Sequence, residues 1–141
     1  VSALDVSIQA QIIALLKKLQ QELRLSMLFI SHDLAVMEYL SDRIAVVYLG
    51  KIMEVADAAT IAARPHHPYT LALLSSVTRI ADRGERKRLV LKGDVPNPID
   101  PPSGCVFRTR CPFAIDACAK AAPLRQVGSG HLSSCIRDDI I

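Results

Sequence analysis

The chain has 141 residues, enough for one ordinary domain or a small domain with an extension. Half of its residues are hydrophobic, only 4% are aromatic and there is no Trp, so a buried core is expected and a stacking platform for single-stranded nucleic acid is not. A net charge of +3 is too mild to argue for nucleic acid or anionic lipid, and no apolar run approaches the ~20 residues of a membrane-spanning helix.

The chain opens at Val1 without a methionine and carries no secretory pattern, and it is read as a piece of a longer protein. From Val6 the pattern is helical: Ile8, Ile12, Leu15, Leu16, Leu19 and Leu23 recur at spacings of three and four. The spacing predicts a helix to about Arg24. Ser26–Asp33 follows, with four consecutive apolar residues between polar ends, and reads as a strand buried on both faces of a parallel sheet. His32 would lie at the strand's carboxyl end, where open α/β sheets place ligand chemistry, and Asp33 can cap the next helix, which runs to Leu40.

Arg43–Tyr48 and Lys51–Ala56 read as two antiparallel strands about Leu49-Gly50, at an edge of the sheet. Ala58–Arg64 reads as a short helix stopped by Pro65, and Pro68 suits the first position of another helix, with Leu71, Leu74, Val77 and Ile80 as its apolar positions. Residues 79–92 are rich in Arg and Lys and read as a solvated linker with a short strand at Leu89–Leu91. Four prolines between Pro96 and Pro102 exclude regular structure up to Gly104. Met27, Met37 and Met53 lie in apolar contexts and read as core.

All four cysteines lie in the tail, in the pattern C-x5-C-x6-C-x16-C from Cys105 through Cys111 and Cys118 to Cys135. No pair has the two-to-four-residue spacing usual in structural zinc sites. Taken alone, the pattern leaves an iron–sulfur cluster, zinc, and unliganded or disulfide-bonded cysteine all open. Adjacent His66 and His67 invite a metal reading, but neighbouring residues point apart in most backbone conformations and no partner ligand is near, while His131 reads as a substitute ligand or a hydrogen-bonding neighbour.

Ser2-Ala3-Leu4-Asp5, a helix, and then Ser31-His32-Asp33-Leu34 resemble the D-loop and the switch-histidine strand of an ABC transporter ATP-binding subunit. His67-Pro68-Tyr69, Pro96-Asn97-Pro98, Pro101-Pro102-Ser103-Gly104-Cys105 and Arg110-Cys111-Pro112-Phe113-Ala114 resemble the C-terminal extension of the oligopeptide/dipeptide branch, some of whose members take nickel. The resemblance implies an α/β fold: the C-terminal part of a P-loop NTPase sheet over residues 1–64, with an edge hairpin, and an irregular Cys-rich extension over 65–141. It implies that His32 contacts the γ-phosphate of ATP, bound with Mg2+, and that Ser2 and Asp5 lie at the interface with a second ATP-binding subunit. It further implies a [4Fe–4S] cluster on Cys105, Cys111, Cys118 and Cys135, transmembrane permease subunits as partners, no nucleic acid, and a place on the cytoplasmic face of the inner membrane. The surroundings of Cys135 depart from the family pattern, with Leu132-Ser133-Ser134 before it and Ile136 after it.

There is no G-x-x-x-x-G-K-[ST] P-loop, no Ser-Gly-Gly-Gln signature and no Walker B Asp-Glu in the chain. The chain by itself is therefore expected not to hydrolyse ATP. The rival expectation is a free-standing iron–sulfur or zinc module with a structural or redox role.

Overall fold

The computed structural model describes residues 6–76, 89–120 and 122–140. They form two compact units, residues 1–41 and 42–141. Ser2, Asp5 and most of the basic run at 79–92 lie outside the described residues.

In the first unit, helix α1 spans Val6–Leu23 and helix α2 spans Leu34–Leu40. The end of α1 is set by Arg24, in the left-handed region at φ +51°, which lets Leu25 N–H reach back to Gln20 O at 3.1 Å. Helix α2 starts where expected because Asp33 Oδ1 accepts from Ala35 N and Val36 N at 2.9 and 3.3 Å. Lys17 of α1 donates to the carbonyl of Tyr39 at 2.8 Å and lies over its ring. The predicted apolar face of α1 is only partly covered: Ile12, Leu16 and Leu19 are half-buried, Ile8, Leu15 and Leu23 are exposed, and Ile13 is the most buried.

The strand expected at Ser26–Asp33 does not form. Residues 25–31 have no strand partner among the described residues, and Leu28 and Ile30 are 92% and 89% exposed. A strand is defined by lateral hydrogen bonds, so an apolar run without a neighbouring strand stays extended and wet. Met27 is exposed and Met37 half-buried, so only Met53 of the three methionines is core.

In the second unit, strands β1 (Arg43–Tyr48) and β2 (Lys51–Asp57) form the expected hairpin. Leu49 and Gly50 both have positive φ, the geometry of a two-residue turn matched to strand twist. Burial alternates along β1, with Ile44, Val46 and Tyr48 inside. On β2 a bulge interrupts the register, because Val46 faces Glu54 while Val47 faces Ile52. Met53 is the extra residue, and the bulge turns both Met53 and Glu54 inward. Helices α3 (Ala58–Ala63) and α4 (Pro68–Ser76) follow, divided at Pro65. The Leu89–Leu91 segment is not a strand; Leu89 N–H bonds Ser75 Oγ at 3.1 Å and Leu91 packs on the core.

The tail is less irregular than expected. A 3-10 turn spans Asp116–Ala119, and strands β3 (Arg125–Gly128) and β4 (His131–Ser133) form a second hairpin. Its β4 pairs with β2, giving an antiparallel sheet of order β1-β2-β4-β3. The architecture is thus mixed α and β with an antiparallel sheet. The boundary expected between residues 64 and 65 falls inside this unit.

The core lies on this sheet. Phe107 is fully buried, with ring centroids 5.4 Å from Tyr48, 5.2 Å from Tyr69 and 5.9 Å from His67. Edge and tilted contacts of this kind add to the area that the rings bury. Phe107 stands two residues from Cys105, so the aromatic core and the cysteine loop are fixed together.

Candidate functional site

Glu54 is the polar centre of the second unit. Its side chain has no exposed surface, so its charge requires donors. It has three: His66 N–H at 2.6 Å, His67 N–H at 3.0 Å and the His131 Nε2 at 2.6 Å. One carboxylate therefore ties β2 to the entry of α4 and to β4.

His67 caps α4 in its turn. Its Nδ1 accepts from Tyr69 N–H at 3.1 Å, so the ring proton sits on Nε2. Burial, with the neighbouring His66, pushes the His67 pKa down to about 4. The ring is held neutral and 1% exposed, as a structural turn requires. His131 hydrogen-bonds Glu54 through its Nε2 and makes no hydrogen bond to a cysteine among those found.

All four cysteines line one small cavity of about 20 Å3, with His67, Phe107 and Arg137 also in its wall. They arrive from three directions. Cys105 and Cys118 are brought together by a hydrogen bond from Cys105 N–H to Cys118 O at 3.0 Å. Gly104 permits that approach: its φ is +73°, and a Cβ there would stand 2.4 Å from the Ala119 carbonyl. Cys111 follows the Phe107–Arg110 turn. Cys135 comes from the end of β4, where Ser134 N–H bonds the carbonyl of the bulge residue Met53 at 2.9 Å. The bulge thus aims Cys135 as well as Glu54.

All four are free thiols. Burial pushes the Cys111 thiol up to about 11, with the other three sulfurs adding to the rise, and it raises Cys105 and Cys135 too. One backbone N–H opposes this at a sulfur: that of Arg137 lies 3.4 Å from Cys135 Sγ. Such a donor stabilises thiolate sulfur. Among the described residues, no group of three or more His, Cys, Asp or Glu is formed that could hold a metal ion. The thiols face a common space without converging on one point, unlike a tetrahedral zinc site with its ~2.3 Å metal–sulfur bonds.

His32 lies in the first unit, exposed, in an open hollow with Gln9, Phe29, Ser31 and Asp33. Asp33 N–H bonds Ser31 Oγ at 3.0 Å, which shapes the turn carrying His32. The structure therefore places His32 and the cysteines in separate units.

Residues 53–118 match the family described as "Oligopeptide/dipeptide transporter, C-terminal region". The match covers just under half of the chain. Similarity extends well beyond the matched residues. A putative peptide import ATP-binding protein of Brucella ovis is 61% identical over 141 residues, 99% of this chain and 44% of that protein. The oligopeptide transport ATP-binding proteins AppF of Bacillus subtilis and OppF of Escherichia coli are 51% and 49% identical, over 96% and 99% of this chain and 42% of each relative. The chain thus spans less than half the length of these relatives. No helix among the described residues is long and apolar enough to cross a membrane.

Sequence reading missed Glu54 and the second hairpin. A glutamate inside a strand gives no sign of burial unless the bulge at Met53 is known. The hairpin did leave a signal: Gly128-Ser129-Gly130 between Gln126-Val127 and His131-Leu132 is a turn flanked by strand-like residues.

Proposed function

We propose that this chain is part of an ATP-binding subunit that couples ATP hydrolysis to uptake of di- or oligopeptides by an ABC importer. The observation that carries the reading is identity of 49–61% across at least 96% of the chain to proteins named for peptide import or oligopeptide transport and ATP binding. Those names give the free-standing module no support. In the proposed assembly residues 1–64 complete the ATPase sheet and 65–141 form the extension. His32 contacts the γ-phosphate of Mg2+-bound ATP, while Ser2 and Asp5 face a second ATP-binding subunit. Permease subunits anchor the assembly at the cytoplasmic face of the membrane. The exposed Leu28 and Ile30 support this reading, since contiguous apolar surface of this kind marks a place for a partner.

Phosphoryl transfer rests on positioned charge, and losing one such donor costs about 10²-fold or more in turnover. In the full-length subunit, reconstituted with its permease in vesicles, His32→Ala should lower ATP hydrolysis and peptide uptake together by that factor. Unchanged uptake and hydrolysis would sink the assignment of His32. The 141-residue chain alone should release no phosphate from ATP.

We infer that Cys105, Cys111, Cys118 and Cys135 hold a [4Fe–4S] cluster. Their shared cavity and the Arg137 N–H on Cys135 Sγ support this. When bound, the cluster would supply four covalent cross-links between the Cys105–Cys118 loop and the end of β4. Because the thiols must lose their protons to bind it, incorporation should rise with pH. Anaerobic purification should yield about four iron and four sulfide per chain. Stoichiometric zinc without sulfide, or no metal at all, would refute the inference.

A further inference from the structure

Two of the four cysteines are paired by the backbone itself. Cys105 N–H bonds the carbonyl of Cys118 at 3.0 Å. Adding the fixed lengths from each bonded atom to its own α-carbon puts the two α-carbons no more than about 7 Å apart, the limit that a disulfide can span. Both side chains line the same small cavity, so they face a shared space rather than pointing apart. The pairing is held on either side. Gly104, at φ +73°, lies so close that a Cβ there would stand 2.5 Å from Cys118 O. Cys118 N–H bonds Ile115 O at 2.9 Å and Arg108 N–H bonds Cys105 O at 3.0 Å, which fixes the turn at each cysteine. Cys111 and Cys135 line the cavity too, but among the described residues no backbone hydrogen bond joins either to another cysteine. The paired thiols differ in access: Cys118 is buried, whereas Cys105 is half-buried and within reach of a small reagent.

We propose that Cys105 and Cys118 are a redox-active pair that closes reversibly into a disulfide, with a low-molecular-weight disulfide such as oxidised glutathione as the oxidant. In the first step the Cys105 sulfur, its proton lost to solvent, attacks one sulfur of the oxidant. That S–S bond breaks, and one small thiolate leaves and takes up a proton. In the second step the Cys118 sulfur, likewise deprotonated, attacks Cys105 Sγ of the mixed disulfide and expels the other small thiolate. One Cys105–Cys118 bond has then formed, the two protein thiols have lost two electrons, and the oxidant has become two thiols that carry the two protons. Excess small thiol drives the same steps backwards. The state of the pair therefore follows the thiol–disulfide balance around it, as in cytosolic disulfides that sense redox state. The inference goes beyond the transport reading and needs no bound metal; ligation and cross-linking would draw on the same two sulfurs.

The test is oxidation of the whole chain, stripped of metal with a chelator, in a mixture of oxidised and reduced glutathione. Remaining thiols are alkylated, and the cross-linked peptides are mapped by mass spectrometry. The same oxidation in concentrated urea is the control. There the loops Cys105–Cys111 and Cys111–Cys118 are about half as long as Cys105–Cys118, so loop-closure entropy favours each of them by about threefold. In the folded chain Cys105–Cys118 should instead exceed each of them by at least about threefold. Cys111 and Cys135 should be recovered as alkylated thiols. Cys118→Ser should leave Cys105 as a stable glutathione adduct, because the second step has lost its sulfur. Another pair dominating in the folded wild-type chain, the urea ratio persisting there, or glutathione adducts or free thiols without a cross-link would overturn the proposal. Iron and sulfide content does not enter these ratios, so the cluster inference and this one fail separately.

Discussion

The two units of the chain treat buried and apolar groups in opposite ways. In residues 42–141 the buried carboxylate of Glu54 finds three donors, and Phe107 is enclosed by aromatic neighbours. In residues 1–41 the apolar run Met27–Ile30 lies largely in solvent. The second unit therefore meets the demands of Glu54 and Phe107 with its own residues, although the buried Tyr48 Oη, His66 Nδ1, Thr70 Oγ1 and Ser133 Oγ find no hydrogen-bond partner there. The first unit holds the expected nucleotide-contacting histidine but not the neighbours that a buried strand needs. Stability should be governed by the second unit and nucleotide chemistry by what is added to the first.

The largest effect should come from Phe107→Ala. Truncating a fully buried aromatic residue costs about 3–5 kcal/mol through lost burial and the cavity left behind. Urea unfolding should show that loss, and a cost under about 1 kcal/mol would mean that the aromatic cluster is not the core. Because Phe107 packs beside Cys105, the variant should also take up less iron.

Next comes acid. His67 titrates near 6.5 when unfolded and is pushed down to about 4 in the fold, chiefly by burial. The folded state thus disfavours the charged ring. Its contribution is present in full above pH 6.5 and is lost as pH falls through the interval down to about 4. A shift of this size corresponds to roughly 3 kcal/mol across that window. Chemical denaturation at pH 7, 5.5 and 4 should trace the loss, and His67→Asn should flatten the histidine part of the curve. An equal pH slope in that variant would remove His67 as the cause.

Glu54→Gln should cost about 2 kcal/mol, since an amide cannot accept from all three donors that the carboxylate satisfies. Its hydrogen-exchange signature should be local, at the entry of α4 and along β4. Protection lost equally at α1 and α2 would contradict the division into two units.

What could be read in advance follows the range of the forces involved. Helices α1 to α4 and the β1–β2 hairpin are written in local signals: Asp33 as cap, Leu49-Gly50 as turn, Pro65 and Pro68 as stop and start. The cysteine set was visible as a cluster in sequence, and its members do share a cavity. The Glu54–His131 contact spans 77 positions, and no local pattern encodes it. The same holds for the β2–β4 pairing, which converts an expected irregular tail into half of a sheet. The expected strand at Ser26–Asp33 failed for the converse reason. Its apolar pattern specifies burial, but burial needs partners that are not among the described residues.

That failure gives the smallest expected effect and the one that separates the two units most cleanly. Leu28 is almost fully exposed, so Leu28→Ser in the 141-residue chain should change stability by no more than about 0.5 kcal/mol. If residues 26–33 become a strand inside a larger ATPase sheet, the same side chain gains a buried site worth about 1.5–3 kcal/mol. Leu28→Ser in the full-length subunit should then be destabilising by that amount, measured by urea unfolding under identical conditions. The difference between the two measurements, rather than either alone, tests whether this stretch is written for a sheet that the 141 residues do not complete. Equal small effects in both would leave the apolar run as a surface feature and remove one support for the importer reading, while leaving the Glu54 and Phe107 predictions untouched.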